Sequence, residues 1–101
     1  MLNSHKYREV ARAALAAIDA VLARWLPGGK RQGAEYIVRN PTRSDDRPGS
    51  FSINCNTGRW ADFATGDKGG DLISLIAYLD RISQAEACRR LGSFLGVATG
   101  D

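Results

Sequence analysis

The sequence predicts one α+β domain, with a small antiparallel three-stranded sheet, a helix before it and two helices after it. Three observations predict this. Apolar residues recur at steps of three and four near the N-terminus. In the middle of the chain, apolar and polar residues alternate between turn-forming clusters. The last third returns to helical spacing. A length of 101 residues suits a single core. A composition of 44% hydrophobic and 25% charged residues excludes a disordered tail, a collagen-like repeat and a disulfide scaffold.

Residues 5–26 read as one amphipathic helix. Val10, Ala14, Ala17, Val21 and Trp25 form its apolar stripe, which Tyr7, Ile18 and Leu22 widen. Alanine favours the helix, and Ala13, Ala16 and Ala20 make a second face of small residues. Pro27-Gly28-Gly29 ends it, because proline cannot continue a helix and glycine accepts the turn. Glu9 and Asp19 interrupt the polar face, which favours a packing element over a membrane-surface helix. Glu35–Arg39 reads as a strand of β-branched and aromatic residues. The loop from Asn40 to Gly49 carries the Pro, Asp, Ser and Gly of turns. Phe51–Cys55 and Arg59–Phe63 alternate as half-buried strands around the turn Asn56-Thr57-Gly58. Gly66–Gly70 reads as a tight connector. A helix follows over Asp71–Asp80. Ser83-Gln84-Ala85-Glu86 reads as a capping box opening a last helix over Gln84–Leu95, which Gly96 stops.

The net charge is +3, and most of the bases are arginines. The planar guanidinium suits bidentate contact with phosphate. Residues 24–60 hold Arg24, Lys30, Arg31, Arg39, Arg43, Arg47 and Arg59 against Glu35, Asp45 and Asp46, whereas residues 61–101 hold more acids than bases. The middle of the chain is therefore the candidate anion-facing region. Cys55, Cys88 and His5 are the only thiol and imidazole groups, too few and too scattered for a structural zinc site. The cysteines read as reduced, buried thiols, with a Cys55–Cys88 disulfide as the alternative. No signal peptide and no bilayer-length apolar run are visible, so the expected compartment is the cytoplasm and no membrane partner is expected. No nucleophile–base pair is apparent, so no catalytic residue and no cofactor are assigned.

Two segments carry ligand-binding chemistry, each beside a plainer reading. Gly66-Asp67-Lys68-Gly69-Gly70-Asp71 joins glycines, a lysine and a helix start, which suits phosphate. Asp67 and Asp71 oppose an anion there, and a strand-to-helix turn capped by Asp71 accounts for the same residues. Arg39, Arg43 and Arg47 come near Arg59 and Trp60 if the strands pair as expected. Arginines around an aromatic ring suit single-stranded nucleic acid, with bases on the ring and guanidinium groups on phosphates. The alternative pairs Arg43 and Arg47 with Asp45 and Asp46 on a solvated loop and puts Trp60 in the core. Asp45-Asp46 and Asp62, Asp67 and Asp71 read as turn and cap residues rather than a hard-cation site.

The chain also carries an ordered set of motifs. It reads Asn40-Pro41-Thr42-Arg43, a charged loop, then Pro48-Gly49-Ser50-Phe51-Ser52-Ile53. After the turn come Trp60-Ala61-Asp62-Phe63-Ala64-Thr65-Gly66-Asp67-Lys68-Gly69-Gly70-Asp71 and the aliphatic run Leu72-Ile73-Ser74-Leu75-Ile76. Over at least residues 35–95 this resembles the CHC2-type zinc-binding domain of bacterial and phage DNA primases. The resemblance implies a zinc-ribbon-like core. It also implies an accessory module contacting single-stranded DNA template, beside a primase, TOPRIM or helicase domain in cis or in trans, from a phage, plasmid or integrative element. The family's four ligand positions fall on Asn40, Arg43, Asp62 and Thr65. None is Cys or His, so the resemblance implies a degenerate, metal-free version. Hydrogen bonds among these four, with an Arg43–Asp62 pair, are expected to replace the lost cross-link, helped by packing of Trp25, Trp60 and the first helix.

The whole reading is a single domain over 1–101, with a finger-like core over 35–95 and no activity of its own. Its nucleic-acid-binding residues are Lys30, Arg31, Arg39, Arg43, Arg47, Arg59, Trp60 and Lys68. The alternative is an interaction or regulatory module that docks a primase or helicase partner without touching DNA, in which the Ala13/Ala16/Ala20 face matters more.

Overall fold

The computed structural model describes residues 2–45 and 49–100. Its helices are α1 (Ser4–Ala16), α2 (Ile18–Trp25), α3 (Leu72–Asp80) and α4 (Gln84–Leu95). The N-terminal stripe therefore folds as two helices where one was expected. Asn3 starts α1 by accepting the Lys6 amide at 2.9 Å. The break falls at Ala17, whose φ of −112° and ψ of 33° leave the helical region and whose N–H is shared by the Ala13 and Ala14 carbonyls. The apolar stripe runs through the break, with Val10, Ala14, Ile18, Val21 and Leu22 all buried. The bend has a packing reason. α1 lies against α3 and α4. α2 runs on toward the sheet, where Asp19 meets Arg31 at 3.2 Å.

The sheet has five strands in chain order: β1 (Lys30–Gln32), β2 (Glu35–Val38), β3 (Phe51–Asn54), β4 (Trp60–Asp62) and β5 (Asp67–Gly69). All neighbours are antiparallel. This corrects the expected three-stranded sheet with three helices to a five-stranded sheet with four. The three expected strands are its centre, and the two additions are its edges. Each edge strand is three residues long, polar, and largely exposed, so no apolar alternation marks it. Their pairing comes from turns. Gln32 pairs with Glu35 across Gly33-Ala34, and Gly33 has the positive φ (62°) that the first position of a two-residue hairpin turn requires. Asp62 pairs with Asp67 across a loop whose Thr65 and Gly66 amides both donate to the Asp62 carbonyl.

Strand alternation divides the sheet into two faces. Phe51, Ile53 and Trp60 point inward and share one core with Leu72, Ile73, Leu75, Ile76 and Leu91. Lys30, Ile37, Ser52, Ala61 and Lys68 stand opposite one another in a row on the outer face. The reciprocal capping box forms at α3, where Asp71 accepts the Ser74 amide at 2.8 Å and the Ser74 hydroxyl accepts from the Asp71 amide. At α4 half of the expected box forms. Ser83 accepts the Glu86 amide at 3.1 Å, while the Glu86 carboxylate lies 3.6 Å from Arg89 and 3.8 Å from Arg90. Cys55 and Cys88 are free buried thiols, and burial pushes both thiol pKa values up. No described helix is long and apolar enough to cross a membrane.

One hydroxyl staples the helical and sheet halves. Tyr36 on β2 donates to the Leu26 carbonyl at 2.6 Å and accepts the Gly29 amide at 3.0 Å. Its ring leaves no room for a side chain at position 29. Tyr36→Phe orphans both backbone groups. It is expected to lower stability by about 1–2 kcal/mol, read as a lower urea midpoint with an unchanged far-ultraviolet circular dichroism spectrum.

Candidate functional site

β2 ends one residue before Arg39, and the loop that follows turns Asn40 and Arg43 back under the sheet toward Asp62, the last residue of β4. Asp62 is fully buried. Its Oδ2 accepts Arg43 Nε at 2.8 Å and Asn40 Nδ2 at 2.8 Å. Its Oδ1 accepts the Ala64 amide at 2.9 Å and Arg43 Nη2 at 3.3 Å. Its carbonyl accepts the Thr65 amide at 3.2 Å. Asn40 and Arg43 thus meet at the Asp62 carboxylate, and Thr65 joins them at the Asp62 backbone carbonyl. The network extends to α3: Asn40 Nδ2 also donates to the Tyr78 hydroxyl at 2.9 Å, and that hydroxyl donates to Asp67 at 2.7 Å. Arg81 adds a bond to the Thr42 carbonyl at 3.1 Å. The Arg43 hydrogen bonds hold the Asp62 carboxyl well below the usual carboxylate range; burial opposes this, and Asn40 and the Ala64 amide reinforce it.

These four residues do not fit a zinc ion. Structural zinc takes thiolate, imidazole or carboxylate ligands. A guanidinium is a cation with no lone pair to offer, and both Asp62 oxygens already accept hydrogen bonds. Among the described residues, no three His, Cys, Asp or Glu side chains converge as metal ligands.

Part of the charge that the inner network leaves over lies on the outer face. Lys30 and Lys68 close the row at the two edges, about 19 Å apart at the usual strand spacing. Arg39 continues β2 on this face, and Arg59 and Phe63 flank β4 on it. Lys30, Arg39, Arg59 and Lys68 are exposed, and none of their side chains has a hydrogen-bond or ion-pair partner among the described residues. Phe63 is 78% exposed. Two concavities open on or beside this face. One, of about 640 Å³, spans β3–β5 between Glu35, Asn54, Arg59, Phe63 and Lys68, with Ser52 and Ala61 as its floor. The other, of about 740 Å³, runs past β1 and β2 between Trp25, Pro27, Lys30, Ile37, Arg39 and Pro41.

The structure sorts the sequence-predicted residues into three groups. Lys30, Arg39, Arg59 and Lys68 share the outer face. Arg31 alternates to the other face and pairs with Asp19, and Arg43 is spent on Asp62. Trp60 is 5% exposed, donates Nε1 to Ser74 at 2.9 Å and packs on Phe51 and Tyr78, so its ring offers no free surface. Arg47 lies outside the described residues. The Gly66–Asp71 segment contains strand β5 and is not an open phosphate cradle, because the Asp71 carboxylate already occupies the start of α3. Phe63 was not singled out by the sequence reading. Its signal lay in Arg59–Phe63: once Trp60 and Asp62 point inward, alternation turns Arg59 and Phe63 outward.

This architecture has a solved counterpart. Over 90% of its length the chain matches the crystal structure of the Aquifex aeolicus primase, which contains zinc-binding and RNA polymerase domains, with a TM-score of 0.75 and 26% sequence identity. The fold is primase zinc-binding-like. The chain spans 21% of the length of that primase chain. No family model matches the sequence, and no curated protein matches it significantly.

The Asp62 network has a pH signature. A carboxyl whose folded pKa is depressed contributes stability that is complete above its unfolded pKa, near 4, and is lost as pH falls below it. Urea midpoints are expected to be flat from pH 7 to about 5 and to drop toward pH 2.5. Asp62→Asn is expected to cost about 2–3 kcal/mol at pH 7, less than a fully buried pair because Arg43 keeps 27% side-chain exposure. Its acid limb should be shallower than that of the unaltered chain.

Proposed function

We propose that this domain binds single-stranded nucleic acid on the outer face of its sheet, as a non-catalytic module of a DNA-priming machine. The observation that carries the reading is the set of four cations, Lys30, Arg39, Arg59 and Lys68, without partners among the described residues and spread over one face around an exposed Phe63. Cations at both edges suit the phosphates of a strand crossing the sheet, and an exposed ring suits stacking of a base. The fold match to a primase supports the setting. On this reading the Arg43–Asp62 network stands in place of a metal cross-link, and the module works without zinc.

Fluorescence anisotropy with a labelled mixed-sequence strand of about 12 nucleotides tests this, starting near 50 mM salt. Saturable binding that weakens as salt rises is expected. Arg59→Ala and Lys68→Ala should each weaken binding several-fold and reduce the log–log salt slope by about 0.7. Phe63→Ala should cost about 1–3 kcal/mol. Arg31→Ala, on the opposite face, should leave affinity nearly unchanged. Absence of salt-sensitive binding near 50 mM overturns the reading and leaves a protein-docking module as the better account.

A further inference from the structure

Within the proposed single-strand reading, we infer that the concavity over β3–β5 reads one nucleobase and prefers a base carrying an exocyclic amino group to thymine or uracil. The concavity has the shape of a base site. Ser52 and Ala61 give a floor of small side chains, and the exposed Phe63 ring stands at its margin. Gly69 at the far wall cannot carry a side chain, because the Trp60 indole and the Ser74 hydroxyl occupy that space from beneath.

The discriminating group is Glu35. It is the acid of an otherwise cationic face, and it pairs with none of the four cations. Its Oε2 accepts Asn54 Nδ2 at 3.0 Å, and its Oε1 has no partner among the described residues. Asn54 cannot turn away, because its Oδ1 accepts the Asn56 amide at 2.8 Å and the Thr57 amide at 3.1 Å. The β3–β4 turn therefore fixes Asn54, and Asn54 fixes the carboxylate. On its other side Asn54 neighbours Arg59, whose carbonyl accepts the Asn54 amide at 2.7 Å and so places Arg59 one strand across. An acceptor-only group and a donor-only group thus flank one asparagine.

That pattern complements a base edge that offers an amino donor beside a ring or carbonyl acceptor. Cytosine presents N4–H₂ next to N3, and a carboxylate accepts from such an amino group. Thymine and uracil carry a carbonyl oxygen in place of that amino group, and their one donor on this edge, N3–H, lies between two carbonyl oxygens, so the Glu35 carboxylate cannot reach it without facing an oxygen. In a single strand the Watson–Crick edge is free to be read this way. The phosphate-facing cations supply affinity without sequence preference, so the preference must rest on Glu35.

The test compares oligo-dC and oligo-dT of about eight nucleotides at one salt concentration, since the two bases have similar size and stacking area. Oligo-dC is expected to bind about tenfold more tightly, the worth of one hydrogen bond to a charged group. Glu35→Gln keeps the shape and can keep the Asn54 contact, but presents an amide N–H₂ to the base. It should bring the dC:dT ratio to about one or below, with dT affinity unchanged or higher. Equal binding of both strands by the unaltered protein overturns the inference while leaving single-strand binding intact. A dC preference that survives Glu35→Gln also overturns it. Failure of both strands to bind overturns the single-strand reading and this inference together.

Discussion

The contact on which the rest of this structure depends is the one between Arg43 and the buried carboxylate of Asp62. A carboxylate with no solvent exposure is untenable without a counter-charge and hydrogen bonds on its remaining lone pairs. Arg43, Asn40 and the Ala64 amide supply both. In doing so they tie the loop after β2 to the β4–β5 turn, and Tyr78 ties both to α3. Buried ion pairs seldom stabilise more than apolar packing of the same volume. What this one contributes is geometry: two loops with few apolar residues of their own are held in one arrangement.

That geometry also decides which charges reach the surface. The net charge of +3 says little about function. The partition of the cations says more. Arg31, Arg43 and Arg90 neutralise Asp19, Asp62 and Asp80 and hold elements together. Lys30, Arg39, Arg59 and Lys68 have no such employment among the described residues, and all four lie on the outer face of the sheet. A cation that neutralises nothing within its own fold is the one free to neutralise a phosphate.

Much of this was legible in the sequence. The last helix over Gln84–Leu95 was readable because its cap, stripe and stop signal agree. The central strands were readable from their alternation, and an Arg43–Asp62 contact was expected from the resemblance. The edge strands were not readable, because β1 and β5 are short and polar and owe their pairing to hairpin turns rather than to burial. The break at Ala17 was hidden because the apolar stripe passes through it unchanged. Trp60 misled for another reason. A tryptophan beside an arginine fits a stacking surface and a core equally well, and only the inward direction of its neighbour Asp62 separates the two. That direction depends on a contact 19 residues away in sequence, which local periodicity does not carry.

The same contact reaches the proposed binding face through one residue. Phe63 sits between Asp62 and Ala64, and the Ala64 amide is bonded to the Asp62 carboxylate. The Phe63 amide is held by the Ser50 carbonyl at 2.8 Å, and the Ser50 hydroxyl accepts from Arg43 at 2.9 Å. The exposed ring is therefore mounted on the buried ion pair from both sides. On the proposed reading, a cross-link of this kind does more than hold two loops together, because it fixes the backbone from which a base-stacking ring projects. A metal ion would do this through bonds to its ligands and would depend on thiol chemistry and metal supply. The Arg43–Asp62 pair does it through hydrogen bonds that depend on neither and give way only when the carboxylate is protonated. The constraint that matters to the outer face is then the rigid turn at Asp62–Ala64, whichever chemistry supplies it.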